Sequence, residues 1–379
     1  MSSTGSVGDR PFTVLCVAGA RPNFPKVKPV LDSLESRGVR TILVHTGQHY
    51  DPSMSDVFFD ELGIRRPDHS LEVGSGSHAE QTARILTAFE PLVESLSPDM
   101  VLVVGDVNST MACALVGAKA GCLVAHVEAG LRSRDWSMPE EINRVVTDRL
   151  SDHLFAPSPD AVENLLAEGY RPDQIHLVGN VMIDSLLANL ERAKSRLAGL
   201  RASLELPGPF ALATLHRPSN VDDSDGLDRL VSALIEVARD VPVLLPAHPR
   251  ARAALQRAAA AGGDVRVIEP LGYLDFIALE SQASLVLTDS GGVQEETTAL
   301  GVPCLTLRDN TERPITITEG TNQLVGTDPD RIVAAARAVL VGGVPPRRPA
   351  IWDGHAADRI ADVIVGHGRA PNTQRPTER

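Results

Sequence analysis

The 379-residue sequence predicts an α/β protein made of two parallel-sheet, doubly wound units in series. Three observations carry this. Apolar runs of strand length alternate with helix-period segments along almost the whole chain. The alternation pauses at an Ala-, Arg- and Leu-rich stretch ending in Pro207-Gly208-Pro209, then restarts. A chain of this length also holds two domains of ordinary size.

Taken in order, Phe12–Val17 reads as a strand, Gly19-Ala20-Arg21-Pro22 as a loop, Lys26–Leu34 as a helix and Thr41–His45 as a strand. His78–Leu96 is a long helix with Ile85, Leu86, Phe89 and Val93 on one face. Val101–Val104, a helix to Ala120, Leu123–Val127 and a helix from Pro139 follow, and the short strands Leu154–Ala156 and His176–Val178 end this series. Leu187–Leu206 is the expected crossing. The second series runs Phe210–Leu215, helix Asp225–Ala238, Val241–Leu245, helix Arg250–Ala260, Val265–Ile268, helix Leu274–Gln282, Leu285–Thr288, helix Gly292–Leu300 and Val302–Leu307. A helical stretch, Pro329–Leu340, precedes Gly-Gly-Val-Pro-Pro. The domains are therefore expected at 1–185 and 186–355, with a short helix from Ala356 to about Val365 and a polar tail at 356–379. That last helix is expected to return to the first domain.

Composition narrows the function. Hydrophobic content of 43% and charge of 22% are globular values, and aromatic content of 3% leaves a core of Val, Leu, Ala and Ile. A net charge of −13 argues against general nucleic-acid binding. Cys16, Cys113, Cys122 and Cys304 are scattered in apolar stretches, which fits small core residues better than a disulfide framework or zinc site. There is no apolar signal core at the start and no membrane-length apolar run, so a cytoplasmic protein without membrane attachment is expected.

The chemistry lies at strand ends. Asp106 follows Val101–Val104, Glu128 follows Leu123–Val127, and Glu140 opens the helix from Pro139. Carboxyl ends of parallel strands form the ligand crevice of such sheets, so the three carboxylates are expected to converge. Like charges repel, so at least one pKa is expected to rise, giving an acid beside a base. Each residue also has a structural reading. Ser137-Met138-Pro139-Glu140 fits a capping box, Asp106 fits a loop before a helix, and Glu128 fits a buried partner for Arg132.

In the second half, Thr288-Asp289-Ser290-Gly291-Gly292 stands where a strand gives way to a helix. Ser290, Gly291 and Gly292 suit a phosphate at the helix N-terminus, with Glu296 one turn further in for a ribose diol. The bland alternative is a Gly turn. Arg21, His216-Arg217 and His248-Pro249-Arg250 also follow strands. No Walker loop, dinucleotide fingerprint or metal-ligand spacing occurs, so neither cofactor nor metal is expected.

With these residues assembled, the chain resembles the non-hydrolysing UDP-N-acetylglucosamine 2-epimerases from about Phe12 to Val365. The resemblance rests on an ordered set: Gly19-Ala-Arg-Pro22, Thr46-Gly-Gln-His49, Gly105-Asp106, His126-Val-Glu-Ala-Gly-Leu-Arg132, Pro139-Glu-Glu-Ile-Asn-Arg144, Val178-Gly-Asn180 with Asp184, His216-Arg217, His248-Pro249, Asp289 to Glu296, and Glu312-Arg-Pro314. It implies a glycosyltransferase-B-type fold with the active site in the interdomain cleft. It implies C2 inversion without NAD: UDP is eliminated to a 2-acetamidoglucal and then re-added. By family position Asp106, Glu128 and Glu140 form the acid/base set and His216 assists. Arg21, Lys26, Arg144, Asn180, Arg217, His248, Phe276, Ser290, Gly291, Gly292, Glu296 and Arg313 are implied to hold the UDP-sugar. A homodimer is also implied.

The sequence departs from the family pattern at Val107-Asn108 and Pro218-Ser219. At Tyr50-Asp51-Pro52 it lacks the second Gln of relatives that use UDP-GlcNAc as an effector, so that property is not carried over. Substituents at C3 and C6 stay open, because some relatives act on UDP-2,3-diacetamido glucuronic acid and others hydrolyse UDP after elimination. A glycosyltransferase on the same scaffold would need an acceptor. A nucleotide-sugar sensor would bind UDP without C2 exchange.

Overall fold

The computed structural model describes residues 10–48, 61–217, 220, 224–247 and 263–368. The first sheet contains β1 (Thr13–Ala18), β2 (Arg40–His45), β3 (His69–Ser70), β4 (Met100–Val104), β5 (Leu123–Val127), β6 (His153–Ala156) and β7 (Ile175–Leu177). The second contains β8 (Ala211–Thr214), β9 (Val243–Pro246), β10 (Val265–Ile268), β11 (Leu285–Thr288), β12 (Cys304–Thr306) and β13 (Asn322–Leu324). Their orders are 3-2-1-4-5-6-7 and 10-9-8-11-12-13. Every strand pairing among the described residues is parallel. β1 and β4 are buried along their whole length, which explains their unbroken apolar sequence.

Both sheets reverse strand order at one place: between β1 and β4, and between β8 and β11. Connections leave such a switch point in opposite directions and open a crevice beyond the carboxyl ends of the strands. The loops after β1, β4, β8 and β11 carry Gly19–Asn23, Gly105-Asp106, Leu215–Arg217 and Asp289-Ser290. Of the predicted site residues, Arg21, Asp106, His216, Arg217 and Ser290 therefore fall on the two switch points.

The helices among the described residues are α1 (Phe24–Ser36), α2 (His78–Leu96), α3 (Asn108–Lys119), α4 (Pro139–Leu150), α5 (Pro159–Ala167), α6 (Val181–Ser203), α7 (Ser224–Val237), α8 (Tyr273–Glu280), α9 (Gly291–Leu300), α10 (Ile315–Thr318), α11 (Pro329–Gly342) and α12 (Ala356–Gly368). α5, α10 and the two- and three-residue edge strands β3 and β13 lie outside the sequence reading; α10, β3 and β13 are too short to show a period, while the nine-residue α5 is passed over. The predicted helix Arg250–Ala260 lies outside the described residues.

The crossing at Leu187–Leu206 turns out to be the second part of the 23-residue helix α6. It packs on α1 at one side and on α8 and α9 at the other. The chain returns after α11: Pro346 lies against Gly301 beside β12, and Ile351 against Gly179 after β7. Trp352 is buried and donates its indole N–H to the Pro157 carbonyl at 2.9 Å. α12 then lies on α1, where Arg37 pairs with Asp358 and Asp362 at 3.1 and 3.0 Å. The Asp184 carboxylate accepts the amides of Ala356 and Ala357, at 3.2 and 2.7 Å, and so caps α12 from α6.

Candidate active site

The loops after β1, β4 and β5 bring the first carboxylates together. Gly105 has φ of +69°, and a Cβ there would stand 3.2 Å from the Lys26 Nζ and 3.7 Å from the Glu128 carboxylate. Glycine at this turn therefore leaves room for that pair. Glu128 is buried and has φ of +78°, an uncommon and strained conformation for a side-chain-bearing residue. Its backbone N–H and that of Ala129 both donate to the Phe155 carbonyl at 3.1 Å, which holds the turn. The Glu128 carboxylate pairs with Lys26 on one oxygen and accepts from Arg313 at 2.8 Å on the other. Arg132, its expected partner, instead pairs with Asp148 and Glu168, each at 2.7 Å. Residues 128 and 132 diverge because the positive-φ turns at Glu128 and Gly130 intervene.

Asp106 lies 2.9 Å from the guanidinium of Arg144, which comes from α4 and is itself buried. The Asn143 amide on the same helix donates to the Asp106 carbonyl at 2.9 Å. The expected rise in pKa does not occur at Asp106. Burial raises it, but Arg144, then Lys26 and Arg313, outweigh burial and hold it below the ordinary carboxylate value. Cations placed between the carboxylates reverse the effect that their mutual repulsion alone would have.

Glu140 stands exposed in the first turn of α4. The proposed capping box is absent: the N-cap is Met138, no side chain caps the helix, and the Ser137 hydroxyl donates to Asp135 at 2.6 Å. The neighbouring Glu141 has the structural task. It is buried, accepts the amides of Ser133 and Arg134 at 2.9 Å each, and pairs with Arg144.

From the second sheet, Asp289 after β11 is buried and accepts the backbone amides of His216 and Arg217. Its carboxylate lies 2.8 Å from the His216 ring, which is otherwise largely exposed. Burial raises the Asp289 pKa, but His216 and the two amides bring it below the usual range. Ser290 caps α9, accepting the Val293 amide. Arg217 reaches Glu312 at 3.3 Å and the Met138 sulfur, just ahead of Glu140, at 3.9 Å. Arg313 is buried among Glu128, Glu295 and Glu312. A Cβ on Gly291 would come within 2.5 Å of its guanidinium, whereas a Cβ on Gly292 would meet nothing nearer than Met182 at 4.0 Å.

The remaining predicted residues spread wider. Asn180 caps α6, accepting the Met182 amide at 2.9 Å, and its own buried amide nitrogen has no partner. Glu296 is buried, and its pKa rises to about 8 through burial and then Glu295. It stands near Tyr273 and the buried Glu280, whose pKa burial also pushes well above normal. Raised carboxyls therefore exist on and beside α9, and Glu295, against Arg313, is another, raised by burial. Phe276 is half-buried against the apolar cluster of Leu206 and Phe210. Arg21 falls in the 3-10 turn after β1, with its side chain outside the described structure. His248, Tyr50-Asp51-Pro52 and Pro218-Ser219 lie outside the described residues.

Sequence reasoning missed Glu141, Glu312 and Asp289 as organisers of this site. Each neighbours a residue it did single out, and that adjacency was the available signal. The assembled crevice offers an ionised carboxylate beside a guanidinium, a second carboxylate between two cations, and an exposed third at the mouth. A helix N-terminus flanked by Arg217 and Arg313 stands opposite. Such a site can move a proton at a carbon while a neighbouring anionic group departs.

Known proteins point the same way. Residues 32–365 match a family described as UDP-N-acetylglucosamine 2-epimerase. The UDP-N-acetylglucosamine 2-epimerase of Methanocaldococcus jannaschii is 42% identical over 359 residues, 92% of this chain and 98% of that protein. The UDP-2,3-diacetamido-2,3-dideoxy-D-glucuronate 2-epimerase of Pseudomonas aeruginosa is 44% identical over 356 residues, 93% and 99% of the two chains. The crystal structure of the M. jannaschii enzyme in complex with UDP-GlcNAc and UDP superposes with a TM-score of 0.86 at 40% identity, covering 93% of this chain and 99% of that one.

Proposed function

The chain belongs to the UDP-N-acetylglucosamine 2-epimerase family, and from that premise we propose that it interconverts UDP-GlcNAc and UDP-ManNAc. UDP leaves C1 as the C2 proton is removed, giving a 2-acetamidoglucal. UDP, and not water, then adds back while a proton arrives on the other face. The observation that supports this most is the Arg313–Glu128 pair, which joins a carboxylate of the first sheet to the cationic cluster of the second. Asp106, Glu128 and Glu140 are the acid/base groups in this reading. A positioned group of that kind is worth about 100- to 10,000-fold. The N-terminus of α9, with Ser290, Gly291 and Gly292, takes the diphosphate, and Arg217, Arg313 and His216 take up its charge as it departs. Glu296 receives the ribose, and Lys26, Arg144 and Asn180 line the sugar side. We carry the homodimer and the cytoplasmic location as part of the same proposal.

A second substrate is favoured by a specific observation. The relative that acts on the diacetamido-glucuronate sugar is as similar as those that act on UDP-GlcNAc. One experiment addresses both. Enzyme treated with EDTA and stripped of nucleotide is incubated in deuterium oxide with each UDP-sugar and followed by proton NMR. C2 deuteration with both epimers present is the expected result for the true substrate. Free N-acetylmannosamine would show a hydrolysing enzyme, and an absolute need for NAD, a divalent ion or an acceptor would overturn the reading.

A further inference from the structure

His126, the fourth residue of β5, is fully buried. Its Nδ1 lies 2.6 Å from the Asp148 carboxylate and its Nε2 lies 2.8 Å from the Gly105 carbonyl. Both neighbours are acceptors only. A neutral imidazole has one N–H, so either tautomer would set a lone pair against one of these oxygens. Turning the ring over would put carbon at both places, too close at those separations.

The other partners of Asp148 are donors as well. Asp148 also meets Arg132 at 2.7 Å, and Arg132 meets Glu168 at 2.7 Å. The Gly130 amide donates to Asp148 at 3.1 Å, and the ring of Tyr170, with Arg149 over it, closes that side. Asp148 and Arg132 are buried whereas Glu168 reaches solvent, so Arg132 is divided between a buried and an exposed carboxylate. Burying an uncompensated charge is costly.

We propose that His126 is held permanently as an imidazolium, and that its two N–H bonds position the Gly105–Asp106 turn and hence the Asp106 carboxylate. Gly105 is left-handed and glycine turns are pliable, so the turn needs an external hold. The Gly105 carbonyl receives that hold from β5, while Asn143 and Arg144 hold Asp106 from α4. His126 is thus a positioning residue. Its catalytic consequence rests on the acid/base reading of Asp106; its charge state does not.

The test is nitrogen NMR of the full chain labelled at histidine, with the His126 signals assigned by their loss in His126→Gln. Both ring nitrogens of His126 should be protonated at about pH 7.5, where an ordinary histidine is neutral. A neutral His126 in the wild-type protein overturns the proposal, whatever any variant does. Asp148→Asn should render the ring neutral and lower kcat by about tenfold to a hundredfold with KM little changed, the cost of a displaced catalytic group. His126→Gln, which restores one donor of the two, should fall in between. A kcat within about twofold of wild type in a folded variant of either kind removes the positioning role. An active Asp106→Asn enzyme would instead overturn the acid/base reading and leave the imidazolium signal in place.

Discussion

The guanidinium of Arg313 spans the crevice to Glu128, with Nη2 2.8 Å from Oε1. The same side chain lies against Glu295 and Glu312. Removing this cation strands the buried Glu295 and takes one partner each from Glu128 and Glu312, which keep Lys26 and Arg308. Arg313→Met should therefore lose about 3 kcal/mol or more of stability, seen as a lower urea midpoint. Arg313→Lys, which keeps the charge but not the forked geometry, should lose less. Equal stability of all three proteins would show that the carboxylates find other partners.

The carboxylate variants Asp106→Asn, Glu128→Gln and Glu140→Gln keep side-chain size and remove proton transfer. Each should reduce turnover by about a hundredfold or more while UDP still binds. Glu140 separates structure from chemistry most cleanly. It is exposed and caps nothing, so Glu140→Gln should leave the melting temperature unchanged. Near-normal C2 exchange in that variant would shrink the acid/base set to Asp106 and Glu128.

Two glycines differ in what they can report. A Cβ at Gly291 strikes Arg313, so Gly291→Val disturbs protein and ligand together. A Cβ at Gly292 has open space. Gly292→Val should leave the folded protein intact and weaken UDP binding more than about tenfold, or about 1.4 kcal/mol, by calorimetry. Undiminished UDP affinity would remove the diphosphate from the α9 N-terminus.

His153 supplies a pH test of stability. Burial, then His176 at 3.2 Å and His367, lower its pKa from 6.5 to about 4, with Asp152 opposing weakly. Between those values the unfolded chain binds more protons than the folded one, so stability falls as pH drops through that window. The melting temperature should be lower at about pH 5 than at about pH 7, and His153→Phe should reduce that difference. An unchanged difference would mean that the ring is not neutral in the folded state.

Much of this was legible in the sequence. Buried parallel strands write themselves as apolar runs, and the residues at their carboxyl ends mark the crevice, so Asp106, Glu128, Ser290 and Arg217 could be singled out before their positions were known. Pairing was not legible. Glu128 meets Lys26 and Arg313, 102 and 185 residues away, and local spacing suggested Arg132 instead. The division of labour between Glu140 and Glu141 was equally hidden, because it depends on which side of α4 faces the loop at Ser133. That the expected rise does not fall on Asp106 has the same reason: the direction of its shift is set by Arg144, Lys26 and Arg313, which only the fold brings near.

The double passage of the chain between the sheets, outward along α6 and back between Pro346 and Ile351, limits how the crevice can move. A single tether permits swivelling about its own length. Two tethers a fixed distance apart permit bending about the line that joins them and resist twist. Relative movement of the two sheets is therefore constrained by α6 and by the returning segment together. The contacts from Arg313 to Glu128 and from Arg217 to Met138 add two side-chain ties between the same two sheets.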